Sequence, residues 1–115
     1  MLQKTPWGIF EAYRRSYEEA YSRALEGVKY LYEQRAKRVY LFGSITKPDF
    51  FMRESDIDIA VEGIPEEKRF VVEAVLIDIL HPHDFDLLLI DSKDIIVREE
   101  IREAVKREGI CIEKF

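Results

Sequence analysis

From Asp56 to Val61 the chain alternates Asp, Ile, Asp, Ile, Ala, Val. A period of two places Ile57, Ile59 and Val61 on one side of an extended segment and Asp56, Asp58 and Ala60 on the other, so this stretch is expected to be a strand with one buried face. A strand needs a neighbour. Arg38–Phe42 supplies one, short and β-branched or aromatic in character, ending at Gly43-Ser44. Phe85–Ile90 and Ile110–Ile112 read as two more.

The remaining chain is helical in pattern. Between Trp7 and Ala36 there is no proline, and Phe10, Tyr13, Tyr17, Ala20, Ala24, Val28 and Leu31 recur at helical steps. One long helix over 8–36 is expected, with Gly27 as the place where it could break. Pro65 stands at a first helical position, followed by Glu66 and Glu67, and opens a helix carrying Phe70, Ala74 and Ile77 that stops before Pro82. A third helix is capped by Ser92, turns Ile101 and Val105 inward and closes at Gly109. The segment from Ile45 to Glu54, with Pro48 and an exposed Phe50-Phe51 pair, is a loop or a short helix and a loop. The class is α/β (α+β): a central sheet of about four strands with helices packed on it, in one domain spanning 1–115.

Composition narrows the function. With 18 basic and 23 acidic residues the net charge is −5. Coating a nucleic-acid duplex needs a surplus of Lys and Arg, so direct duplex binding is not expected, and any nucleotide held here needs a cation. No apolar run approaches the ~20 residues that span a bilayer, and no secretory leader is visible. The lone Cys111, flanked by Ile110 and Ile112, is expected to be a small buried thiol in a cytoplasmic protein.

The acidic face of the Asp56–Val61 strand carries the chemistry. Asp56 and Asp58 leave the same face with backbones roughly 7 Å apart, within reach of one hard cation. Asp86 lies in another strand-like run, on one face with Asp84 and Leu88. If the two strands pair, three carboxylates converge, and like charges that close call for a cation such as Mg²⁺. All-oxygen ligands point to phosphate chemistry. Gly43-Ser44 provides the other half, a glycine that lets backbone amides approach a phosphate and a hydroxyl that can donate to it. The residues after Gly43 are Ser44, Ile45, Thr46, Lys47 and Pro48, so this is not a P-loop.

Leu41-Phe42-Gly43-Ser44, eleven intervening residues, Asp56-Ile57-Asp58-Ile59, and then Asp86 after a helix together resemble the minimal nucleotidyltransferases of the DNA polymerase β superfamily. The likeness covers nearly the whole chain, with a catalytic core at 38–113. It implies a polymerase-β-like mixed sheet and an ATP·Mg²⁺ site in which Gly43 and Ser44 grip the triphosphate, Asp56 and Asp58 hold metal, and Asp86 joins them and helps activate an acceptor hydroxyl. The implied reaction moves a nucleoside monophosphate, AMP from ATP, and releases pyrophosphate. Members this small resemble antitoxins that block a helical HEPN ribonuclease toxin, by contact or by adenylylating a tyrosine on it, within a homo- or hetero-oligomer. Two features depart from the family's pattern: a long gap before Asp56, and Pro48 where a glycine is common. They imply a differently shaped phosphate-side loop.

Plainer readings stand beside these. Asp56 and Asp58 also fit the wet face of an edge strand, Gly43-Ser44 a simple turn, and Asp84 could replace Asp86 if the register slips. His81 and His83 flank Pro82 without a cysteine pair and read as loop residues rather than a zinc site. All six tyrosines fall in the first 40 residues; Tyr13, Tyr17 and Tyr21 pack a core or form an aromatic partner surface. Arg98, Glu99, Glu100, Arg102 and Glu103 form a solvated helix face.

Overall fold

The computed structural model describes residues 6–52, 54–91 and 99–114. Helix α1 spans Pro6–Glu33 and leads into β1, Arg38–Phe42. Two 3-10 turns, Gly43–Thr46 and Pro48–Phe50, precede β2, Ile57–Glu62. Then come α2 (Arg69–Leu80), β3 (Phe85–Leu89), α3 (Glu99–Glu108) and β4 (Ile110–Ile112). The strands lie in the order β3-β2-β1-β4. β1 runs antiparallel to β2 and β4, whereas β2 and β3 are parallel. A parallel pair needs a crossover, and α2 supplies it.

One face of the sheet, from Val39, Leu41, Ile57, Ile59, Val61 and Leu89, packs on Ala20, Ala24, Val28 and Leu31 of α1 and on Val72, Leu76 and Leu80 of α2. Gly27 does not break α1. It is buried where the two helices meet, and a Cβ there would lie 3.3 Å from Leu76 Cδ2. α1 ends at Glu33, short of residue 36, because Arg35 takes a positive φ of 71° and Ala36 N–H turns back to the Leu31 carbonyl. Tyr32 ties the ends of the chain's core together: its hydroxyl accepts from Val39 N–H and donates to the Ile112 carbonyl.

The second face is covered too, by α3. Tyr40, Ala60, Ile90 and Val105 form a smaller cluster there, with Phe42 and Leu88 at its margin. β2 is thus buried on both sides beyond Asp58, where alternation predicts one. Even Glu62 is buried, and Lys106 Nζ lies 3.2 Å from its Oε1 without hydrogen-bond geometry.

Several expectations are corrected. Phe70, Ala74 and Ile77 face outward, and Val72, Leu76 and Leu80 face the core; α2 is apolar nearly all round, so spacing alone cannot choose its buried side. Pro65 precedes a 3-10 turn, Glu66–Lys68, and α2 begins at Arg69. Phe50 is exposed but Phe51 is buried against Tyr17, with ring centroids 5.6 Å apart. Val105 is buried while Ile101 is exposed. Cys111 is exposed, because β4 is a three-residue edge strand with one neighbour and cannot hide both its faces. Gly109 closes α3 through its N–H to the Val105 carbonyl, 2.7 Å. The Ser92 cap, and the side chains of Phe10 and Tyr13, lie outside the described residues. No described helix is long and apolar enough to cross a membrane.

The orientation of α2 gives a direct test. Leu76→Ala should lower the unfolding free energy by about 2–5 kcal/mol, whereas Ile77→Ala should change it by less than about 0.5 kcal/mol. Denaturant titration of both variants measures the difference, and equal losses would refute the orientation.

Candidate active site

The register across three strands sets the site. β1 pairs Phe42 with Asp58 of β2, and β2 pairs Asp58 with Asp86 of β3. Phe42, Asp58 and Asp86 therefore form one row on the face that α3 covers farther along, at the end of the sheet where β1 finishes and β2 and β3 begin. Neighbouring strands lie about 4.8 Å apart, so the two carboxylates stand side by side. The parallel register selects Asp86 over Asp84 as the partner of Asp58. Asp84 sits one period nearer the start of the strand, exposed, its carbonyl accepting Ile57 N–H at 2.9 Å.

Electrostatics record the crowding. Partial burial, then the Asp86 charge, then Asp56, then a hydrogen bond with Asp86 push Asp58 from its ordinary 3.8 up to about 6. Asp56, half-buried, is near enough to contribute. The sign for stability follows. The unfolded chain ionises Asp58 near 3.8 and the folded chain only near 6, so the metal-free protein should lose stability as pH rises through that window and level off above it. Thermal melts between those limits test this. An Asp58→Asn variant should flatten the slope, and an unchanged slope would refute the crowding.

The turn after β1 closes over this pair. Gly43 has a φ of +71°, open to glycine at little cost. It also lies against Asp58, since an added Cβ would collide with the Asp58 Oδ2 atom. Two side-chain hydrogen bonds brace the turn: Thr46 Oγ1 donates to the Gly43 carbonyl at 2.7 Å, and the Tyr17 hydroxyl donates to the Ile45 carbonyl at 2.7 Å. Ile45 is itself fully buried. Ser44, half-buried, is thus held next to Gly43 on an anchored turn. Pro48 opens a second 3-10 turn here.

A glycine-serine turn at the end of one strand, set against an aspartate pair shared by the next two, is the arrangement that the sequence spacing predicts. Residues 28–112 match the family described as Polymerase beta, Nucleotidyltransferase. The chain belongs to this family. Its small α+β architecture, among the described residues three helices on a mixed four-stranded sheet, is that of a polymerase-β-like nucleotidyltransferase domain. No curated protein matches it.

In this nucleotidyltransferase domain the donor set suits a hard divalent cation. Two adjacent carboxylates, one of them raised in pKa by burial and then by the other's charge, gain from a shared positive charge. Among the described residues no three His, Cys, Asp or Glu side chains form a metal cage on their own. Mg²⁺ does not need one, because it is bound through one or two carboxylates and fills its other positions with water and phosphate oxygens.

Beside the pair runs a cavity of about 730 Å³ between α2 and the free edge of β3. Asp56, Asp84 and Asp86 line one end of it, and Arg69, Glu73 and Ile77 line the α2 side, with His81 and His83 at the turn. Arg69 bridges the groove. It donates to Glu66 at 2.6 Å, to Glu73 at 3.1 Å and to the Leu87 carbonyl on the strand edge at 3.1 Å. The supports that sequence reasoning misses are Tyr17, Ile45 and Arg69. Each works through a contact far along the chain, and only the turn glycine two residues before Ile45 hints that Ile45 is an anchor.

Proposed function

We propose that this protein is a Mg²⁺-dependent nucleotidyltransferase that moves AMP from ATP to a hydroxyl on a partner protein, serving as the antitoxin of a HEPN-type toxin. The observation that carries this reading is the in-register Asp58–Asp86 pair with Gly43 packed against it. Gly43 and Ser44 would hold the triphosphate, and the Asp58–Asp86 pair, with Asp56 beside it, would hold Mg²⁺, which would supply charge neutralisation for the transferring phosphoryl group. Asp86, exposed at the groove mouth, accepts the proton of the acceptor hydroxyl. The hydroxyl oxygen then bonds the α-phosphorus, and the bond to pyrophosphate breaks.

A silent antitoxin that binds its partner through the tyrosine-bearing helix is the alternative. It gains little from the described tyrosines. Tyr17, Tyr21 and Tyr30 pack against the core, and Tyr32 and Tyr40 are buried. Incubation with α-labelled ATP, Mg²⁺ and a HEPN-type protein tests the choice. Label on that protein supports transfer. Inhibition of the toxin without label, unchanged by Asp58→Asn, supports the silent reading.

A further inference from the structure

The outer side of α2 is an apolar surface that nothing in the described fold covers. Phe70 is 88 % exposed, Val71 65 % and Ile77 58 %, with exposed Ala74 between them. Phe70, Ala74 and Ile77 follow one another at steps of four and three, so they form a single ridge along the helix. Alanine at its centre lets another backbone come close. Such a ridge on a small domain is an interaction surface rather than chance exposure.

Two observations say what fits it. First, its borders are acidic: Glu66 and Glu73 on the groove side, Glu67 and Asp78 on the other. Of the two cations at the start of α2, Arg69 is already engaged with Glu66, Glu73 and the Leu87 carbonyl, and exposed Lys68 precedes the ridge at the end of the 3-10 turn. Second, the ridge meets the cavity at one end. Ile77 lines it, and its far end reaches Asp56, Asp84 and Asp86. A second copy of this chain fits poorly, because a two-fold contact would set the same acidic borders against each other.

The geometry points to an amphipathic, cationic helix of the partner protein as the occupant of the Phe70–Ala74–Ile77 ridge, its apolar face on the ridge and its Lys and Arg residues on the acidic borders. This rests on the reading that a partner supplies the acceptor hydroxyl. A helix seated there brings the adjoining partner surface to the groove mouth at Asp86.

The test uses a fluorescently labelled Leu-Lys amphipathic peptide as the probe, followed by anisotropy. It should bind the wild-type chain saturably and weaken with added salt. Phe70→Glu combined with Ile77→Glu should weaken it by about tenfold or more. Phe50→Glu, which alters an exposed phenylalanine on the loop after β1, should leave it unchanged. A Leu-Glu peptide should not bind. Circular dichroism and melting confirm that the variants fold, as expected for exposed positions, and light scattering should show a monomer. No binding of the Leu-Lys peptide, equal binding to the double variant, or a wild-type dimer that Ile77→Glu splits would each overturn the proposal. Peptide binding without label transfer to the HEPN-type protein would keep the docking site and reject the transferase reading. Transfer that survives the double variant would do the reverse.

Discussion

Asp58→Asn is expected to reduce nucleotidyl transfer by about 10³-fold or more, a loss of several kcal/mol in transition-state stabilisation. The same change should raise the melting temperature of the metal-free protein at neutral pH. Both effects have one source. In the free chain the Asp58 charge is opposed by burial, Asp86 and Asp56. On the proposed reading, Mg²⁺ and triphosphate would need that charge in the site. Asn keeps the shape and removes the charge, so function falls while stability rises. A label-transfer time course and a melt in a chelator separate the two readouts. A variant that melts lower than wild type without metal would show that Asp58 supports the fold, and the metal-binding role would fail.

Gly43→Ala should be the second most damaging change. Alanine at a φ of +71° is strained, and its methyl would displace the Asp58 carboxylate. The expected cost is about 1–3 kcal/mol in stability, together with about a 10²-fold loss of transfer, the scale reached when a reacting group is misplaced by about 1 Å. Gly27→Ala is the contrasting case. Gly27 lies within a helix and its added carbon meets the flexible side-chain ends of Leu76, Leu80 and Ile59, so stability should change by less than about 1 kcal/mol and transfer should persist. Equal behaviour of the two variants would remove Gly43 from the site.

Much of the fold is legible in the sequence because its signals are local. Arg38–Phe42 ends where β1 ends, since Gly43 marks the stop. The order of helices and strands follows from spacing and punctuation. The aspartates are legible for the same reason, because a period of two fixes their shared face. What spacing cannot supply is the neighbour. Whether Asp84 or Asp86 meets Asp58 depends on the β2–β3 register. Which side of α2 faces inward depends on α1, and whether Cys111 is buried depends on β4 being an edge. In each case two placements fit the local pattern equally well, and a distant contact decides between them.

The Tyr17 bond to Ile45 bears on how small such a domain can be. The family match begins at residue 28, yet the hydroxyl that steadies the turn beside the aspartates comes from a tyrosine eleven positions earlier. The stretch of α1 around Tyr17 is therefore a strut for the candidate site rather than an appendage. A fragment trimmed to the matched region would keep Asp56, Asp58 and Asp86 and lose the brace that aims Gly43 and Ser44.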